Sequence, residues 1–519
     1  MATDRTARLA VPAAAALLLW PAVWNGYPIV FADSGTYLSQ AIQHYAGWDR
    51  PVFYSLFMLP LHATVTLWPV VAAQALLAAW VLWLVCRVLV PAISGIALAG
   101  LVFVLSAGTW LPWIVSELMP DLFTPLLVLV FCLLAWVPGR LSRLERVVLV
   151  GLATFMIASQ QSSLPLACVI GGVLGFGRVL LHRRRHGLPS PKRSGFGFTQ
   201  AGRAPGGHQH REGGEINLAD RRTPTVMAGR VPAIFAPAAE AQMAGTPLTH
   251  VLARPAMTDE PRRLHRRWLL IVLPPALAVL GLCTVNLAAH GRFAVSPYGN
   301  VFLLARVIYD GPGMAVLRRD CPAAHWLLCP YLGRFPPTSD EFLWSTDSPL
   351  KPVGGPKAVS ADADAIIRAA LLADPLGEIR AALGNMGEQL MLFASGDGLN
   401  PWPDQVSPVI QRDFPAREQA AYASARQQMG LLVVPPLLVR IHRIVALGGV
   451  AACAVLLPLA FRRRAPCAGF LLAVLLVLPA GAAITGGLSA PHDRYQARIM
   501  WLPPFVAAVS FASLRRRRA

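Results

Sequence analysis

Asp33 is the first residue in the chain whose type and placement could do chemistry. It stands in NGYPIVFADSGTYLSQ, directly after an apolar run from Leu9 to Val30. A carboxylate at the level where lipid headgroups meet water could take a proton from an acceptor hydroxyl or amine, while a donor's lipid tail stays in the bilayer. Asp also suits the cap of a helix beginning near Ser34, and chemistry alone leaves both roles open. Glu117 and Asp121 form a second acidic pair, in SELMPD at the mouth of another apolar run. Ionised groups there are costly unless they face a cavity or a partner. Pro120-Asp121 also reads as a helix start. The third constellation is HDRYQAR near the C-terminus, with His492, Arg494, Tyr495 and Arg498. Guanidinium groups give planar multi-donor contacts and a phenol adds a hydrogen bond, which together would hold a lipid phosphate or pyrophosphate. Arg and Tyr are also common as snorkelling interface anchors. Arg50, in WDRP, would join that phosphate or pair with Asp49.

Other candidate chemistry is weaker. FASGDGLNPW, from Phe393 to Trp402, has glycines around Asp397 but lacks the spaced oxygen ligands and bidentate Glu of a calcium loop, and it reads as a turn. Gln160-Gln161-Ser162-Ser163 is a polar turn that needs no contact with a ligand. The histidines show no zinc spacing, and there is no Walker or Rossmann fingerprint, so no nucleotide cofactor is indicated.

The elements that must position these residues are membrane helices. Of the 519 residues 55% are hydrophobic and 14% charged, against about a quarter charged in soluble domains. The net charge of +19 would suit nucleic acid, but 15 basic residues fall between His182 and Trp268 and most others flank apolar runs, as membrane topology requires. Nucleic acid is therefore excluded as a partner. The first run follows Arg5 and Arg8 but is too long for a cleaved signal, so it reads as an uncleaved span. Further runs begin at Trp68, Ile93, Leu122, Val147, Leu164, Trp268, Ile444, Ala468 and Ile499, which makes about ten spans of bilayer-crossing length. With the N-terminus inside, Arg87, Arg140/Arg143/Arg146, Arg183 to Arg185, Arg462 to Arg464 and Arg515 to Arg518 all fall on the cytoplasmic side. Pro51 to Leu67, with Pro60 and His62, then reads as an outer juxtamembrane or re-entrant helix, and Leu431 to Ile444 likewise.

The expected organisation is an all-α polytopic protein in five parts. Residues 1–182 are an N-terminal membrane module with a first outward loop at 26–67. Residues 183–267 are a basic cytoplasmic loop of disordered composition, suited to an anionic lipid surface or simply solvated. A single span covers 268–289. Residues 290–443 form a small, mainly helical periplasmic domain, and 444–519 are C-terminal membrane helices carrying the outward His-Asp-Arg-Tyr loop. The periplasmic segment has 12 basic and 14 acidic residues before Leu431, a balance unlike the rest of the chain. Cys321 and Cys329 share this polar segment and would form a disulfide if it is exported, while the other six cysteines sit in or beside apolar runs.

A first span, a carboxylate in the first outward loop, a juxtamembrane helix and a Pro-aromatic helix leading to the second span, here ADSGTYL and WDRPVFYSLF, resemble the GT-C superfamily of integral-membrane glycosyltransferases. Within it the pattern is similar to the protein mannosyltransferase and aminoarabinose transferase group. The resemblance covers the ten-span architecture and about 40 residues of motif. It implies a sugar donor linked to polyprenyl phosphate and the role of general base for Asp33. It also implies an acceptor- or cation-binding role for Glu117 and Asp121, possible use of a divalent cation, and a basic, Tyr-containing outer loop.

The resulting expectation is a transferase of a bacterial inner membrane. It would move sugar from that donor to a lipid, glycan or protein acceptor on the periplasmic face, with both termini cytoplasmic. A transporter or lipid flippase would place polar residues along a path through the bilayer centre, whereas here ionisable residues cluster at the outer ends. A noncatalytic envelope assembly factor is the third reading. A catalytic cleft would bring Asp33, Glu117 and Arg494 together, and an assembly factor has no need to.

Overall fold

Long apolar stretches with no internal charge can satisfy their backbone inside lipid only as helices, and helices make up the architecture. The computed structural model describes residues 2–91, 93–185 and 260–516, and among these there is no strand. Among the described residues five helices are long and apolar enough to cross a membrane: Trp68–Leu89, Trp268–His290, Pro436–Arg462, Ala468–Leu488 and Asp493–Arg515. The chain is thus a multi-pass helical membrane protein. Shorter apolar helices stand where further spans were expected, at Gly95–Gly108, Pro120–Trp136 and Ser163–Gly177. A bent pair, Gly299–Tyr309 and Pro312–Ala324, meets the same length and composition criteria only if its 96° break is ignored.

The run expected as one first span is two helices, Ala2–Leu17 and Trp20–Asn25, because Pro21 opens a new helix just after the break. Gly26 ends the second in a left-handed conformation. Val52–His62 has 11 residues and is about 16 Å long, roughly half the thickness of a bilayer's hydrocarbon core. The stretch expected as a separate amphipathic element near Leu431 instead begins at Pro436 and continues without interruption into Pro436–Arg462.

Residues 1–185 and 260–519 belong to one compact unit. Its main core joins the apolar helices to residues far along the chain, including Val406, Ile410, Phe414 and Tyr422. Residues 298–370 keep a core of their own around Leu304, Phe342 and Ile366. Within it Cys321 and Cys329 are disulfide-bonded, with Cα atoms 5.4 Å apart. Of the free cysteines only Cys168 is exposed. Most of the basic loop expected at 183–267 lies outside the described residues, so its disorder and its lipid contact are not addressed by the structure.

Candidate functional site

The helix Ala32–Gln43 starts at Phe31, whose N–H donates to Ser34 Oγ at 2.9 Å, while that hydroxyl donates to Leu118 O at 2.9 Å. Ser34 therefore serves the helix end, and Asp33 does not act as its cap. Both Asp33 oxygens face Arg50, with Nε and Nη2 each 2.8 Å away. Arg50 also donates to its neighbour's carbonyl, Asp49 O, at 3.1 Å, and its guanidinium stands 5.3 Å from the Trp344 ring centroid. Its partner is thus Asp33, and through Tyr495, which feels the charges of Arg50, Arg494 and Arg498 together, it adjoins the Arg494 group. Asp49 is raised above the ordinary carboxylate range by burial, against the pull of Arg50.

The first loop is tied to the second by a single parallel bridge between Ile29 and Glu117. Ile29 N donates to Ser116 O at 2.9 Å and Leu118 N donates to Ile29 O at 2.8 Å. Gln74 then donates to Val115 O and Glu117 O, fixing the strand-like turn onto the helix Trp68–Leu89. This brings the SELMPD carboxylates to the Asp33 side of the molecule.

Asp121 is only 2% exposed, and two arginines hold it. Arg494 Nε is 2.5 Å from Oδ2 and Arg498 Nη1 is 2.8 Å from Oδ1, with Gln160 Nε2 donating to Oδ1 at 3.1 Å. Arg498 reaches Ser162 Oγ as well, at 3.3 Å. The polar turn that needed no role from sequence thus supplies two partners to the charged cluster. Arg494 lies over Phe31, its Cζ 3.7 Å from the ring centroid, and its backbone N–H donates to Asp397 Oδ2 at 3.0 Å. Tyr495 sits beside this array, 5.5 Å from the Arg498 guanidinium.

Glu117 occupies the middle. It is 9% exposed, and its carboxyl makes no hydrogen bond or ion pair among the described residues. Burial pushes it up to about 8, with Arg494 opposing and Asp121, Asp397 and Asp33 adding to the rise. Near neutral pH it is therefore mainly an uncharged acid, able to donate a hydrogen bond where its neighbours are ionised. These electrostatic couplings place Asp33, Glu117, Asp121, Asp397 and Arg494 in one cluster.

His492, expected with the phosphate-binding group, points instead to Asp340, with Nε2 and Oδ2 3.1 Å apart. That contact raises it above its ordinary value. Asp397 is the residue that sequence reading passed over. Its turn needs Gly396 and Gly398 at φ of 113° and 88°, and a Cβ on Gly398 would meet the Phe31 ring at 2.8 Å. The glycines flanking Asp397 were the available signal, read only as a turn.

Two small recesses flank the cluster. One is bordered by Trp48, Arg50, Phe53, Gln161, Leu282 and Asn286. The other is bordered by Thr124, Ser162, Thr485, Tyr495 and Arg498. Each holds about 10 Å³, room for a single water molecule beside a guanidinium. A divalent cation fits poorly. Asp33 and Asp121 already face guanidinium charge, and among the described residues no group of three or more His, Cys, Asp or Glu is arranged to hold a metal. No family model, no curated protein and no solved structure matches the chain.

Proposed function

We propose that the protein is a membrane glycosyltransferase that uses a polyprenyl-phosphate-linked sugar. Its architecture is of the ten-span GT-C kind, in a bacterial inner membrane with cytoplasmic termini, and its site opens on the periplasmic face. The observation that carries the reading is the convergence of Asp33, Glu117 and Arg494 from three loops distant in sequence. An envelope assembly factor has no need of this convergence, and a transporter would spread its charges along a path.

In this reaction an acceptor hydroxyl oxygen attacks the anomeric carbon. The bond from that carbon to the lipid phosphate oxygen breaks, and the phosphate leaves with the electron pair. Asp33 receives the acceptor proton. A carboxylate offers about four lone-pair sites, so the bidentate Arg50 contact orients Asp33 and still leaves it able to accept. Asp33 is 19% exposed, enough for an acceptor to reach it. The charge that develops on the leaving phosphate is met by the Arg494 and Arg498 pair and by Tyr495. Neutral Glu117 adds a donor without adding a negative charge.

The test is transfer of labelled sugar from a panel of polyprenyl-phosphate donors by the purified chain in lipid, with Asp33→Asn at matched folding. The expected result is transfer by the native chain, reduced at least about 100-fold in the variant, as for loss of a general base. Equal transfer by both removes Asp33 from the mechanism, and absence of transfer by the native chain across the panel overturns the function.

A further inference from the structure

The segment 371–391 carries an apolar face that none of the described residues covers. Leu372 is 78% exposed, Leu376 72% and Met391 73%, and Ile379 and Leu383 are also exposed. In the helix Pro375–Met391, the spacing 376, 379, 383 places three of these side chains in one stripe. Three polar residues of the same helix, Glu378, Asn385 and Gln389, point the other way and are engaged, while Arg380 and Glu388 are exposed. Glu378 pairs with Arg306 at 2.5 Å, Asn385 donates to Asp310 at 3.0 Å, and Gln389 exchanges two hydrogen bonds with the backbone of His492. A helix surrounded by water would show the opposite arrangement.

The neighbour of this helix identifies what covers the stripe. Pro375–Met391 packs closely on Ala468–Leu488, one of the five helices apolar and long enough to cross the membrane. Gly486 permits the approach, since a Cβ there would come within 2.6 Å of Asn385 O. A helix clamped against a membrane span, with its apolar face left exposed, is placed to share that span's surroundings.

We infer that Pro375–Met391 is seated in the bilayer, with Leu376, Ile379 and Leu383 against acyl chains. Lipid is thus the partner of the stripe. Arg380, exposed on the same face, can extend its stem along the apolar surface and reach the phosphate level. The chain leaving this helix enters the turn that docks on the charged cluster: Ala394 N donates to Asp493 Oδ1 and Asp397 accepts from Arg494 N. Bilayer contact therefore helps hold the Asp397 turn in place, whatever reaction the cluster performs.

The experiment places a bimane fluorophore on Leu383→Cys in a Cys168→Ser chain, where every remaining native cysteine is buried or disulfide-bonded. The protein is reconstituted in phosphatidylcholine vesicles with or without brominated acyl chains, and iodide serves as the aqueous quencher. Leu376→Cys is a second label position, and Arg319→Cys, on a side chain 59% exposed, is the water-facing control. Brominated lipid should lower emission at 383 and 376 at least about twofold and leave 319 unchanged, with iodide giving the reverse. Quenching of 383 and 376 by iodide alone would put the stripe in water. Protection from both quenchers would mean that protein, such as a second copy of the chain, covers it. Either result overturns the inference.

Discussion

Asp121→Asn should be among the most damaging isosteric changes in the molecule, whereas Glu117→Gln, four residues earlier, should cost little. Asp121 is 2% exposed and Arg498 3%, so the carboxylate is the buried counter-charge of two guanidinium groups that water scarcely reaches. An asparagine can accept from one arginine, but its NH2 group then faces the donors of the other. Breaking a buried pair while leaving its cations in place costs about 3–5 kcal/mol. Glu117 has no such partner and holds its proton up to about pH 8, so a neutral amide of the same shape changes little near pH 7, within about 1 kcal/mol. The two sites are also coupled. With Asp121 neutralised, one of the charges that add to the burial-driven rise of Glu117 is gone and Arg494 draws it toward ionisation, so Glu117 partly compensates. The double variant should therefore lose more than the sum of the single changes, by about 1 kcal/mol or more. The assay is equilibrium unfolding of all four proteins in mixed detergent–lipid micelles at pH 7. Asp121→Asn within about 1 kcal/mol of native, or a double variant additive to within about 0.5 kcal/mol, would refute the account of the cluster.

The raised Glu117 also sets a pH dependence. The folded chain keeps a proton there between the ordinary value of 4.5 and about 8, so this contribution is fully present below the lower value and is lost as pH rises through that window. The native chain should lose stability over the window more steeply than Glu117→Gln, and parallel curves would count against the assignment. His492 should titrate above its ordinary 6.5 by histidine NMR and return toward it in Asp340→Asn, because Asp340 is the main cause of the rise. Gly398→Ala meets both a positive φ of 88° and the Phe31 ring, and should destabilise by more than about 1 kcal/mol. Adding Phe31→Leu should recover only the steric part, since the backbone strain remains; full recovery would show that φ is unimportant there. Removing the Cys321–Cys329 bond by paired serines should cost about 2–3 kcal/mol, seen as faster proteolysis within 298–370 and not in the apolar helices.

Several features were legible because they depend on local chemistry. Uncharged apolar runs at Trp68, Trp268 and Ala468 form long helices, since a helix is the spanning structure a single segment can make in lipid. The pairing of Cys321 and Cys329 was legible from two cysteines in one polar segment. Other features were less accessible. The break at Leu18–Leu19 was hidden inside an uninterrupted apolar pattern, because hydropathy does not register the restart at Pro21. The surface that the apolar stripe of Pro375–Met391 faces was not legible, since its periodicity is the same whether the helix buries that face in protein or in lipid.

The amino-acid sequence by itself determined that this is a multi-pass helical membrane protein and which carboxylates and arginines stand at the ends of its apolar runs. It did so because hydropathy and charge act residue by residue. Only the tertiary structure decided the pairing: Asp33 with Arg50, Asp121 with Arg494 and Arg498, His492 with Asp340, and Glu117 left alone between them. Asp121 and Arg498 are 377 positions apart. Which charge meets which across that distance depends on how the helices pack and how the bridge at Ile29 registers the two loops, and no local pattern of residues encodes either.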